Sequence, residues 1–140
     1  MEKAAARPHG ILVAEDDAQV RRISTFVLSD AGYQVDAAED GAVAWDRLQL
    51  KSYDLLITDH NMPNMSGIEL IKKVRAARMA LPVILISGTM PEDELKAHAW
   101  LQINATLPKP CDIVKLLRTV KEVLDATGDV TGPDRPPRSG

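Results

Sequence analysis

The chain is 140 residues long, 45% hydrophobic and 26% charged, with a net charge of -3, the size and balance of one globular domain with a full hydrophobic core. Its lysines and arginines are scattered, which argues against a broad nucleic-acid surface, and no apolar run approaches the roughly 20 residues that span a bilayer. One cysteine, Cys111, excludes an internal disulfide and suits a reducing compartment, and Met1 to Gly10 lack the apolar run of a signal peptide, so the expectation is a cytoplasmic protein without direct nucleic-acid or membrane contact.

Residues 1–9 read as a flexible leader and 10–127 as the folded domain. Ile11-Leu12-Val13-Ala14 is a short apolar run ending in Glu15, Asp16 and Asp17, a buried strand with charge at its carboxyl end. From Asp17 a helix pattern follows with Val20, Ile23 and Val27 on its apolar side and Arg21 and Arg22 on the other. Gly32 stops it. Tyr33 to Ala37 gives a second strand, and Asp40 caps a second helix through Val43, Trp45 and Leu48. Leu55-Leu56-Ile57 leads into Asp59 as a strand buried on both faces, and Pro63 ends regular structure. Ser66 with Glu69 predicts a capping box for a helix carrying Ile68, Ile71 and Val74. Pro82 to Ile86 is a fourth strand closed by Ser87-Gly88. Pro91 starts an irregular helix through Leu95, and Ile103 to Leu107 is a poor fifth strand ending at Pro108-Lys109-Pro110. The last helix has the clearest stripe, Ile113, Leu116, Leu117, Val120 and Leu124. Residues 128–140, with three prolines, read as a disordered tail or linker, too short and polar for a DNA-binding module.

Strand and helix alternate five times, which predicts an α/β fold, a parallel sheet with helices on both faces. Ligands of such sheets bind at the strand carboxyl ends. Four of the five ends carry chemistry: Glu15 and Asp16, then Asp59, then Ser87, then Lys109. Each alone has a plain explanation; Asp17 is a helix cap more often than a ligand, Ser87 a turn hydroxyl, Lys109 a loop lysine, and Asp59 an Asx-turn residue. Their joint placement is harder to dismiss. Three carboxylates at one edge repel one another unless a cation intervenes, either the ammonium of Lys109 or a bound metal. An oxygen-only ligand set favours Mg²⁺, and His9, His60 and His98 make no zinc-like pair; His60 reads as a solvent-facing loop residue. A carboxylate beside Mg²⁺, a hydroxyl and a lysine suits phosphoryl transfer, with Asp59 as nucleophile and Gly88 leaving room for the group.

These segments resemble the receiver domain of two-component response regulators. The matching pieces are Ile11 to Asp17, Asp54 to Pro63, Ser66 to Leu70, Ile84 to Gly88, and Pro108-Lys109-Pro110. The resemblance implies a single doubly wound, flavodoxin-like, five-stranded sheet in the order 2-1-3-4-5 with five helices in three layers. It implies that Asp59 accepts a phosphoryl group from a histidine kinase or histidine phosphotransfer protein. Asp16 would ligate Mg²⁺ directly with Asp59, Glu15 through water, and Asn61 through its backbone carbonyl. A cis bond is implied between Lys109 and Pro110. On phosphorylation Ser87 would move inward and an aromatic residue on strand five would follow, reshaping the helix 4, strand 5, helix 5 face for a downstream protein.

Here the aromatic position of that switch holds Thr106, and Gln102-Ile103 replaces the usual Gly-Ala before strand five. The domain is expected to be regulatory rather than an enzyme, although able to catalyse its own phosphorylation and dephosphorylation. It is expected to be a monomer or a phosphorylation-dependent dimer, either standing alone or forming part of a longer regulator or hybrid kinase. An aspartyl-phosphate hydrolase is the main alternative, but Asn61 stands where its second, acid/base carboxylate belongs. A scaffold receiver without phosphorylation and a flavin or nucleotide binder are the others; no glycine-rich phosphate cradle follows strand one.

Overall fold

The computed structural model describes residues 8–128, so most of the expected leader and tail lies outside the described residues. Five parallel strands form one sheet in the order β2-β1-β3-β4-β5: β1 Gly10–Ala14, β2 Gln34–Ala38, β3 Leu55–Asp59, β4 Val83–Ser87 and β5 Ala105–Pro108. The helices are α1 Ala18–Asp30, α2 Gly41–Leu50, α3 Gly67–Ala76, α4 Glu92–Ala97 and α5 Ile113–Gly128, with a 3₁₀ turn at Ala99–Leu101. The expected fold class and strand order hold, with β2 and β5 displaced by one or two residues from their expected bounds.

Strand alternation divides the core. Leu12, Leu56 and Leu85 face α2 and α3, where Ala44, Leu48, Ile68, Ile71 and Val74 are buried against them. Ile11, Val13, Leu55, Ile57 and Ile84 face α1 and α5, meeting Leu28, Leu116, Val120 and Leu124. All five residues of β3 are buried because helices cover both faces of this central strand. Register then aligns the carboxyl ends, with Ala14 beside Thr58, Asp59 beside Ile86, and Ser87 beside Pro108.

The helix starts follow the predicted caps. Asp17 accepts from the amides of Gln19 and Val20, and Asp40 from that of Val43. Ser66 and Glu69 complete both halves of their box.

The predicted apolar face of α1 fails at two of its three residues, with only Val27 half-buried. Val20 is 38% exposed and Ile23 51%, while Leu28 is the helix's buried residue. The Arg21 guanidinium bonds the carbonyls of Glu15 and Asp16 at 2.8 and 3.3 Å, and Ser24 and Thr25 are half-buried. Arg21, Ser24, Thr25 and Leu28 share one helical face, so the anchoring at Arg21 and Leu28 turns the Val20–Ile23 side outward. On α5 the expected stripe holds except at its start: Ile113 is exposed, and Val123 is buried one turn before Thr127.

Candidate functional site

At the carboxyl edge of the sheet, β1 delivers Glu15 and Asp16, β3 Asp59, β4 Ser87, and the residue after β5 is Lys109. Glu15 is held by its amide on the Ala38 carbonyl, and its Oε2 accepts from the Asp17 amide at 3.0 Å. Asp59 ends a fully buried strand and is itself buried. Lys109 is aimed inward by its amide on the Ser87 carbonyl at 3.0 Å, and the Lys109–Pro110 bond is cis, as the resemblance implies.

Carboxylate oxygens of Glu15, Asp16 and Asp59 all come within 4.8 Å of one another. The Lys109 ammonium lies between two of these groups, 3.0 Å from Asp59 Oδ2 and 3.2 Å from Glu15 Oε1. Burial raises the Glu15 carboxyl, and the charge of Asp59 adds to it; the Asp17 amide and Lys109 only partly offset this. Burial pulls Lys109 the other way, but its bond to Asp59 and the charges of Glu15 and Asp59 outweigh that and raise its pKa. The ammonium is thus fully charged at neutral pH and compensates a cluster that is otherwise self-repelling.

The donor set fits a hard divalent cation. It is all oxygen, has two buried carboxylates beside one exposed carboxylate, Asp16, and opens to solvent on the Asp16 side, where waters can complete an octahedron. Asn61 lies on the exposed loop after β3.

The Ser87 hydroxyl is buried and engaged by its own turn, donating to the Thr89 carbonyl at 2.6 Å and accepting from the Thr89 amide at 3.2 Å. A Cβ at Gly88 would meet only Lys109 Cβ, at 3.9 Å, so the protein alone does not require glycine there. Thr106 is in register with Leu85 and exposed. His60 departs from expectation: it is half-buried, and its Nδ1 is buried without a hydrogen-bond partner among the described residues. The residue keeps part of its surface exposed, but that nitrogen is shielded from solvent.

Two polar arrangements carried no sequence signal of their own. Arg75 on α3 donates to the carbonyls of Leu101, Met79, Leu81 and Gln102 at 2.7 to 3.2 Å. This knot holds the turn before β5, where Gln102 takes a left-handed conformation (φ 51°) in place of the expected glycine. Asn64 donates to Asp40 at 2.9 Å, across 24 residues of sequence.

The sequence pattern of the response regulator receiver domain matches residues 11–121. The chain is a receiver domain of the response regulator family. Its relatives include the chemotaxis protein CheY of Pseudomonas aeruginosa, 32% identical over 118 residues, which are 82% of this chain and 95% of that protein. The sensor protein EvgS of Escherichia coli is 37% identical over 107 residues, 75% of this chain but 9% of EvgS. The response regulator MprA of a Mycobacterium species is 32% identical over 129 residues, 92% of this chain and 56% of that protein. The receiver therefore spans a small part of EvgS and about half of MprA. Among solved structures, a response regulator receiver protein from Pseudomonas putida superposes with a TM-score of 0.77 at 34% identity, covering 84% of this chain and 98% of that one. The chemotaxis protein CheY4 of Vibrio cholerae does so with 0.77 at 29%, covering 84% and 99%. Membership makes this a regulatory module of phosphorelay signalling, and its acidic cluster is compatible with Mg²⁺. No helix among the described residues is long and apolar enough to cross a membrane.

Proposed function

We propose that the receiver takes a phosphoryl group on Asp59 from the phosphohistidine of a histidine kinase or phosphotransfer protein. The observation that supports this best is the Lys109 ammonium, 3.0 Å from one oxygen of a buried Asp59 beside two further carboxylates. Lys109 occupies Oδ2, leaving the other oxygen for attack. The Asp59 O–P bond forms as the P–N bond of the donor breaks, and the departing imidazole nitrogen takes the electron pair. Lys109 pairs with a phosphoryl oxygen as charge builds there. Ser87 reaches a second oxygen by releasing the Thr89 carbonyl. Asp16, Asp59, the Asn61 carbonyl and Glu15 would hold Mg²⁺, which would supply neutralisation of the charge on the transferring group.

Release of Ser87 from its turn is the start of the switch. Thr106 lacks the bulk to follow Ser87 as an aromatic ring would, so the change reaches the α4, β5, α5 face mainly through the Ser87–Thr89 turn and α4. A downstream protein reads that face. The module works in the cytoplasm, as a monomer or as a dimer formed on phosphorylation, and it hydrolyses its own acyl phosphate with water in place of the donor.

The test is incubation with Mg²⁺ and ³²P-labelled acetyl phosphate, followed by acid and base treatment. The expected label is acid-stable, base-labile and absent from Asp59→Asn. Label that persists in that variant overturns the assignment.

A further inference from the structure

The loop between β3 and α3, residues 60–66, carries Asn61, whose carbonyl the proposed function gives to the cation. Asn61 is itself exposed and lies two residues past the end of β3, so the strand alone does not fix its carbonyl, although the half-buried Met62 and Met65 beside it pack on the core. Two approaches from elsewhere in the fold restrain it. At the α3 side, the Gly67 amide donates to the His60 carbonyl at 2.8 Å, and a Cβ at Gly67 would run into the backbone of Asp59 and His60. Only glycine lets the first turn of α3 sit directly on the acceptor's own carbonyl.

The second approach comes from α2, an element with no residue among the proposed ligands. The buried Asp40 carboxylate caps α2 through the Val43 amide at 2.8 Å and uses its other oxygen to take the Asn64 side-chain amide at 2.9 Å. Asn64 stands in a left-handed conformation (φ 69°), which asparagine tolerates better than most residues and which such a bond helps hold. At the next position α2 touches the loop's backbone. A Cβ at Gly41 would lie 2.5 Å from the Met65 carbonyl oxygen and 2.8 Å from its Cβ. These bonds to Val43 and Asn64 also draw the Asp40 carboxyl below its ordinary value, so it is ionised, and a strong acceptor, at neutral pH.

We propose that Asp40 and Gly41 are positioning residues for the divalent-cation site: the start of α2 grips the β3–α3 loop at Asn64 and Met65 and thereby sets the Asn61 carbonyl. This rests on the reading of Asn61 as a backbone ligand. Asp40 touches neither the cation nor the phosphoryl group. It acts through the loop, as groups behind a metal's direct ligands commonly do, with losses of about 10-fold or more in metal affinity when such a partner is removed.

The test compares Asp40→Ser, Asn64→Gly and the double variant with the full chain. Serine still caps α2 but is too short to hold Asn64, and glycine keeps the left-handed backbone while removing the bond. Mg²⁺ affinity is read by isothermal titration, and acetyl phosphate labelling is followed across Mg²⁺ concentrations. Each single variant is expected to weaken Mg²⁺ binding on the order of 10-fold, with the labelling rate recovering at saturating Mg²⁺. The double variant is expected to be no weaker than the worse single one, because both remove the same bond. Unchanged Mg²⁺ affinity in the single variants, or losses that multiply in the double one, overturns the clamp. Weakened affinity with a limiting rate that stays low at saturating Mg²⁺ also overturns it, since that is general damage to the site. Failure of the wild-type chain to bind Mg²⁺ or to label at Asp59 would instead bring down the proposed function, which keeps the two failures apart. Gly41→Ala is the steric counterpart, and its affinity loss should follow that of Asn64→Gly.

Discussion

Replacing Lys109 by methionine, which keeps the length of the side chain and deletes its charge, should weaken the fold far more at neutral than at acid pH. With an effective dielectric near 20, a unit ion pair at the 3.0 Å separation from Asp59 is worth about 5–6 kcal/mol before desolvation. Dehydration of the ammonium offsets part of this, and removing one partner of a buried pair typically costs about 3–5 kcal/mol. Lys109 keeps 29% of its side chain exposed, so a loss near the lower end, about 2–3 kcal/mol, is expected at pH 7.5. The folded pKa of Lys109 is raised above 10.5, so its contribution is fully present across the range between pH 4.5 and 7.5. Glu15 decides the pH dependence. Its folded pKa is raised above 4.5, so its ionisation already weakens the fold as pH climbs through that value, and loss of Lys109 raises it further. Because the Glu15 pKa is raised, lowering the pH toward 4.5 protonates it and removes repulsion beside Lys109, so the loss should be smaller at pH 4.5 than at pH 7.5. The assay is urea unfolding with EDTA present at both pH values. An equal loss at the two, or none at pH 7.5, would refute the account of the ammonium as the cluster's counter-charge. Millimolar Mg²⁺ should then stabilise the variant more than the wild type, because the cation no longer competes with an ammonium for the same oxygens.

On α1, Leu28→Ala is expected to cost about 2–4 kcal/mol in urea unfolding, whereas Ile23→Ser, at a site 51% exposed, should stay within about 0.5 kcal/mol; the opposite ranking would restore the apolar face predicted from sequence. Arg75→Lys keeps the charge but cannot reach four carbonyls with one ammonium, so a loss of about 2–3 kcal/mol is expected at every pH from 5 to 9, measured in the same way.

The sequence exposed the strands, the caps and the convergent site for a common reason. Each is a local signal: a run of apolar residues, a capping spacing, or a charged residue at the point where a run ends. The register of a parallel sheet then collects the ends without further information, which is why Glu15, Asp16, Asp59 and Lys109 meet as expected. Helix orientation is less local. On α1 the spacing of Val20, Ile23 and Val27 describes an apolar stripe, yet Arg21 reaching back to two carbonyls and a single Leu28 set the rotation. His60 departs from the loop pattern around it because its partners are Ile86 on β4 and Gly67 on α3 and not its neighbours in sequence. The Arg75 knot and the Asp40–Asn64 bond join residues 24 or more apart for some of their contacts, and no periodicity or motif marks such pairs.

The Arg75 knot has a bearing on α4, which it does not touch. Between the Ser87 turn and Gln102 the chain is fastened at both ends, to the site at one and to α3 at the other. α4 between them is six residues long and has no buried side chain. Apart from Leu95, which packs on the core, its side chains hold little buried surface, so its own share of the folding free energy is small. The fold thus separates a frame that carries the acidic site from a lightly held panel beside it. Evolution can rewrite the exposed part of the panel, its Trp100 and its acidic first turn included, while the frame and its acidic cluster stay unaltered.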